Sequence, residues 1–235
     1  RLHEVGLHLP RQGRSTIVLL CGGELDAIES TMERIGHSTH VPHEFVLMID
    51  PIDQAQAEKA NTLANESDHI RVCQFQSWAG MAKQINDGLA RANGEFIACV
   101  HVSATLSDSW LGRLQWYLNE NRQWGVVVPT VEKTSCRDIS PQPTGDISHG
   151  CVVISRRVLD KIGGMDVTLG ADGFEWHDYW QRVQIAGFEP HGVSDVVAQF
   201  SEQVRATETA QAHTRFHGRW GAEPQPKTHS FDRAQ

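Results

Sequence analysis

Residues 94–104 read Gly94-Glu95-Phe96-Ile97-Ala98-Cys99-Val100-His101-Val102-Ser103-Ala104, and this stretch decides the fold. A Gly-Glu turn leads into a continuous apolar run, Phe96 to Val100, the pattern of a strand covered on both faces. Its carboxyl end delivers a polar tripeptide, His101-Val102-Ser103. Ligands of open α/β sheets bind outside the carboxyl ends of the strands, so the residues that end this run are the first candidates for a site.

Upstream, Thr16 to Cys21 forms an apolar strand ending at Gly22-Gly23, followed by a helical pattern of Leu25, Ile28, Met32 and Ile35. Glu44 to Ile49 is a second strand, ending at Asp50-Pro51, and Gln54 to Ala64 an alanine-rich helix. A third strand, Ile70 to Phe75, precedes a helix from Ala79 to Ala92. Downstream come an amphipathic stretch from Ser109 to Leu118, a short strand Val126 to Pro129, and a polar loop from Thr134 to Ser148. Gly150 to Ile154 returns to strand, and helices follow over Arg156 to Ile162 and Glu175 to Ala186, the latter closed by Gly187 as a C-cap. This alternation predicts a single α/β domain over residues 15–200, with a mostly parallel central sheet flanked by helices. Residues 1–14 read as a linker and 201–235 as a partly helical tail. The strand ends at Gly22-Gly23, Asp50, Gln76 and His101 then share one edge.

The 235 residues are 40% hydrophobic and 21% charged, enough for one domain with a large core. A net charge of -8 argues against a nucleic-acid partner, since a phosphate backbone rewards a basic surface. Five cysteines, odd in number and without a C-x-x-C, read as reduced thiols, mostly buried, of a cytoplasmic protein. No apolar run approaches the roughly 18 residues that span a bilayer. Membrane association and additional domains are expectations only for parts of a longer chain that begins before Arg1.

His37, His40 and His43 give two H-x-x-H spacings, but no cysteine or carboxylate pair completes a zinc tetrahedron, and a solvated loop is the better reading. G-x-G-x-x-G, G-x-S-x-G and P-loop patterns are all missing, against a nicotinamide oxidoreductase, an α/β hydrolase and a Walker nucleotidase. Trp176, Tyr179 and Trp180 share a helix and offer either a sugar-stacking platform or core packing.

Several ordered features resemble the family 2 glycosyltransferases over roughly Ser15 to Phe200. The strand ending in Asp50 resembles the family's V-V-D element. Gly80, Ala82, Asn86, Gly88 and Leu89 resemble its G-x-A-x-x-x-N-x-G-L helix, and Gly94 to Ala98 its G-E-Y-I-A strand. Cys151 to Asp166 resembles the acceptor-side segment, and Glu175, Asp178 and Arg182 fit the E-D-x-D-L-x-x-R helix. Arg215 to Gly221 is similar to an F-x-x-K-W-G element found after many such domains.

The resemblance implies a GT-A fold and transfer from a UDP-, GDP- or dTDP-linked nucleotide sugar to a glycan, lipid-linked or protein acceptor, with inversion. It implies donor contacts from Gly22, Asp50, Gly80, Asn86, His101 and Ser103. Asp50, read from the residues alone, is equally a turn before Pro51, and Asn86 equally a structural cap of a neighbouring loop. The pattern breaks where the family places a divalent cation, Mn²⁺ or Mg²⁺, on an Asp-x-Asp pair: here stand His101 and Ser103, of which His101 alone is a metal-ligand candidate. Gln199 replaces a customary histidine, and Trp176 replaces the second carboxylate of the E-D pair, which leaves Glu175 or Asp178 as candidate base, with Asp172 in the adjacent loop. A catalytically degenerate domain that binds without turnover is the alternative.

Overall fold

The apolar runs become the strands of an eight-stranded sheet in the order β3-β2-β1-β4-β7-β6-β8-β5. In this computed structural model, residues 11–21, 27–49, 54–75, 80–132, 150–169, 174–200 and 210–221 are described. The first half alternates strictly: β1 (Arg11–Cys21), α1 (Ala27–Ser38), β2 (His43–Ile49), α2 (Gln54–Glu66), β3 (Ile70–Gln74), α3 (Met81–Arg91) and β4 (Gly94–His101). Then follow β5 (Ala104–Leu106), α4 (Trp110–Glu120), β6 (Trp124–Glu132), β7 (Cys151–Ser155) and α5 (Arg156–Ile162). A 3-10 turn at Val167–Leu169, α6 (Glu175–Ile185), β8 (Glu189–Phe200) and α7 (Ala210–Trp220) complete the chain.

Strands β3, β2, β1 and β4 pair in parallel, as does β6 with β8. β7 runs antiparallel between β4 and β6, and β5 antiparallel to β8. Side chains alternate across the pleat, which splits the core into two layers. Ile17, Leu19, Leu47, Ile49 and Val100 face α1, α2 and α4, while Val18, Leu20, Val46, Met48 and Cys99 face α3 and α6.

Glycines explain two of the spaced sequence features. A Cβ on Gly88 would collide with Val18 Cγ1 and come within 3.3 Å of Met48 Sδ, so α3 lies against β1 and β2 only with hydrogen at that position. A Cβ on Gly94 would stand 2.5 Å from the Thr16 nitrogen, where β4 enters beside β1.

The architecture departs from expectation in three places. β1 starts at Arg11, inside the expected linker, and pairs with Gly94 before a register shift. β8 is a twelve-residue strand despite Pro190 and Gly192, residues that punctuate strands. Its pairing with β6 shifts register beside Pro190, between Trp124 and Val126, and again after Val193, between Pro129 and Thr130, while Gly192 pairs with Val128 in regular register. β5, three residues long, has no periodicity to read.

No helix among the described residues is long and apolar enough to cross a membrane. Cys21, Cys73, Cys99 and Cys151 are free and buried. Burial pushes the thiols of Cys21 and Cys99 up to about 12, so they stay protonated and inert.

Candidate active site at the carboxyl edge of the sheet

Register sets the site. Cys21 opposes Ile49 and Leu20 opposes His101, so β1, β2 and β4 stop at one level. Gly22, Asp50, Gln76, Asp172 and the Thr134 to Ser148 loop lie outside the described residues.

The turn after β4 is held from two sides. The His101 N–H donates to the Gly150 carbonyl (2.8 Å) and the Val102 N–H to the Leu20 carbonyl (3.1 Å). From α1, the Thr31 hydroxyl donates to the Val102 carbonyl (2.9 Å) and Arg34 to the Ala104 carbonyl (3.2 Å). Within the turn, the Ser103 backbone N–H donates to His101 Nδ1 at 3.2 Å, and the Ser103 hydroxyl lies 2.7 Å from the same nitrogen. A backbone N–H can only donate, so Nδ1 is the acceptor and the neutral ring carries its proton on Nε2.

That arrangement tests the expected cation. A metal-bound imidazole normally donates its second ring N–H to an acceptor, whereas here the second nitrogen faces a donor, the Ser103 amide. Ser103 brings a neutral hydroxyl where a hard cation needs an anionic oxygen. Among the described residues, no group of three or more His, Cys, Asp or Glu side chains is arranged to hold a metal ion. The His101-Ser103 pair therefore does not fit Mn²⁺ or Mg²⁺ in the manner of the Asp-x-Asp pair, and what the described residues give His101 is a hydrogen-bonded partner in Ser103.

Gly80 caps the amino end of α3 with φ 87° and ψ 160°, a conformation that favours glycine. Its carbonyl accepts the first helical hydrogen bond, from the Gln84 N–H at 3.2 Å. Asn86, on the same helix, uses both ends of its amide on one residue: Nδ2 donates to the Met165 carbonyl (2.8 Å), and Oδ1 accepts from the Met165 N–H (2.6 Å). A Cβ on Gly164 would lie 2.8 Å from Asn86 Cγ, so the Gly163-Gly164 turn is what admits the amide. Of the two readings of Asn86, the loop cap is the one this geometry supports.

The two α6 carboxylates differ in their surroundings. Asp178 is fully buried. Its Oδ2 accepts from Arg182 Nε (2.8 Å), and its Oδ1 from Arg219 Nη1 (2.9 Å) and Trp220 Nε1 (3.0 Å). With three donors converging on it, Asp178 is a brace between α6 and α7. Glu175, 1% exposed, is the first residue of α6. Trp176, 1% exposed, stacks on Trp180 at 5.5 Å. With Tyr179 also buried, the three aromatic side chains are core rather than a sugar platform.

The tail resemblance marks the docking of α7, which spacing alone did not predict. Phe216 is fully buried and stacks on Phe174 at 5.1 Å. Arg215 donates to the Thr168 carbonyl (2.6 Å), and Arg219 pairs with Asp166 (2.6 Å) as well as Asp178. α7 thus closes over the start of the helix that carries Glu175. The H-x-x-H histidines scatter: His40 pairs with Asp108 (2.7 Å), and His43 Nδ1 lies 2.9 Å from the Val41 carbonyl.

With the geometry established, the sequence profile of glycosyl transferase family 2 matches residues 16–150, more than half of the chain. The chain belongs to glycosyl transferase family 2. Solved structures agree on the fold. The mannosyltransferase PcManGT from Pyrobaculum calidifontis, in complex with GDP-Man and Mn²⁺, superposes with a TM-score of 0.63 at 17% identity, covering 91% of this chain and 62% of that one. S. aureus TarS gives 0.63 at 13% identity, covering 86% of this chain and 38% of that one. GalNAc-T7, with UDP, GalNAc and Mn²⁺, gives 0.65 at 11% identity, covering 87% and 47%. The family 2 chain described here therefore spans less than two thirds of the length of each. No curated protein sequence matches it.

Proposed function

We propose that this family 2 domain transfers a sugar from a nucleotide-sugar donor to a hydroxyl of a glycan, with inversion and without the usual cation clamp. The observation that carries the reading is the common level at which β1, β2 and β4 end, since ligands of such sheets bind outside the carboxyl ends of the strands and the His101-Ser103 turn follows β4 there. Asp50 accepts hydrogen bonds from the base or ribose, and Gly80 keeps the first turn of α3 open to the donor. The Nε2–H of His101 donates toward the diphosphate, which a carboxylate could not do.

In the transfer step the acceptor oxygen bonds to the anomeric carbon as the bond from that carbon to the phosphate oxygen breaks. The nucleoside diphosphate departs with the electron pair, and the acceptor proton passes to Glu175. A second reading follows from Trp176 and the closed His101-Ser103 pair: a domain that binds the donor but does not turn it over.

Titration calorimetry with UDP-, GDP- and dTDP-sugars, followed by assay of nucleotide release with glycan acceptors, separates the readings. Binding with release that falls at least about a hundredfold in Glu175→Gln at unchanged donor affinity supports transfer. Binding with no release in any condition selects the second reading, and no nucleotide binding overturns both.

A further inference from the structure

Trp116 on α4 is 57% exposed, the one aromatic among the large hydrophobic residues left open in the described chain. It borders a cleft of about 290 Å³ lined also by His40, Gly112, Arg113, Tyr117 and Asp195. His40 lies just ahead of β2, so the cleft sits at the opposite end of that strand from Asp50. Seven residues of strand, at about 3.3 Å each, separate the two ends by about 20 Å.

The cleft wall is built rather than incidental. Trp116 meets Tyr117 edge-on at 5.0 Å, Tyr117 stacks on Trp124 at 5.8 Å, and Trp124 stacks on His191 at 3.8 Å. The Tyr117 hydroxyl donates to Asp195 Oδ1 (2.9 Å), and Arg113 donates to the Asp195 carbonyl (3.2 Å). Asp195 Oδ2 has Arg113 at 3.8 Å, and both side chains stay about half exposed, so each keeps hydrogen-bonding capacity toward the cleft. Gly112 stands inside α4, where glycine is unfavourable. A Cβ there would lie 3.2 Å from Val41 Cγ1, so its absence keeps the floor open.

We propose that this cleft binds a neutral sugar ring of an oligosaccharide, at a position remote from the donor edge. An exposed indole offers a flat face to the C–H side of a pyranose. Asp195 and Arg113, adjacent and of opposite sign, receive and donate the paired hydrogen bonds of neighbouring sugar hydroxyls. Arg113 and Asp195 offset each other, and Asp108 beside His40 adds a carboxylate nearby, which disfavours a phosphate and suits an uncharged glycan. This binding would give a glycan chain a second hold on the protein, and it does not depend on catalysis at the donor edge.

The test is an NMR titration with neutral tetrasaccharides of glucose, mannose and galactose, following the Trp116 indole N–H assigned by its loss in Trp116→Phe. The expected result is a saturable shift with a Kd in about the millimolar range, weakened at least about tenfold in Trp116→Ala and Asp195→Asn. Gly112→Leu should abolish the shift, while Glu175→Gln leaves it unchanged and Asp195→Asn keeps its nucleotide-sugar affinity. No shift with any of the three sugars up to about 50 mM overturns the proposal. So does a shift elsewhere that survives Trp116→Ala, or an indole signal that broadens with protein concentration alone, which would assign the cleft to a second copy of the chain.

Discussion

The two edges of the parallel sheet hold their polar groups on different terms. At the amino edge, Glu44 is 4% exposed and accepts from the Thr16 hydroxyl (2.7 Å), the Asn93 N–H (3.1 Å) and Arg71. Thr16 Oγ1 in turn accepts from the Gly94 N–H (2.8 Å), and Arg156 donates to the Ala92 (2.7 Å) and Gly94 carbonyls. Every donor there comes from the chain itself, and the product is a fixed entry for β4. At the carboxyl edge stand His101 and Ser103, whose side chains lie 2.7 Å apart. The buried carboxylates of Glu44 and Asp178 each mark a structural joint.

The largest effect that sharpens this contrast is expected from Glu44→Ala. It leaves Arg71 and the buried Thr16 hydroxyl without their acceptor and should cost about 4 kcal/mol, read as a lowered urea midpoint, with donor affinity of the folded fraction unchanged. Asp178→Ala should cost about 3 kcal/mol and release α7, seen as faster proteolysis near Arg215 and Arg219. An unchanged midpoint would contradict that bracing role. Gly88→Ala, which drives a methyl into Val18, should cost about 2 kcal/mol without altering the site.

The smallest effect is set by pH. Burial alone would raise the pKa of Asp166, but hydrogen bonds from the Thr168 hydroxyl and N–H, with the Arg219 guanidinium, outweigh it and hold the carboxyl at about 2. A depressed folded-state pKa stabilises above the ordinary carboxyl value and loses that stabilisation as pH falls. The docking of α7 should thus be intact above about pH 4 and loosen toward pH 2, followed by hydrogen exchange of residues 214–221, and Asp166→Asn should remove this pH dependence.

The first half of the fold was legible because each strand is a continuous apolar run and each helix has its own period, from Thr16 through Val100. β8 was not, because Pro190 and Gly192 are local breakers, and only pairing with β6 makes a strand of them. At the site, His101 and Ser103 were readable as a departure from the Asp-x-Asp pair, and the direction of their hydrogen bonds was not, since it depends on backbone geometry within the turn. The bracing role of Asp178 was not legible, because α7, some forty residues later, supplies two of its three donors, and helical spacing carries no trace of that contact. Asn86 was open between a ligand contact and a loop cap until Met165 was seen against both ends of its amide.

The most direct test of the central claim, that a His-Ser pair occupies the cation seat of a family 2 fold, is calorimetric titration of a nucleotide sugar with and without Mn²⁺. It is run on the natural chain and on the variant carrying His101→Asp with Ser103→Asp. Mn²⁺ is expected to change the affinity of the natural chain by less than about threefold and that of the double variant by about tenfold or more. A tenfold gain on adding Mn²⁺ to the natural chain would contradict that claim.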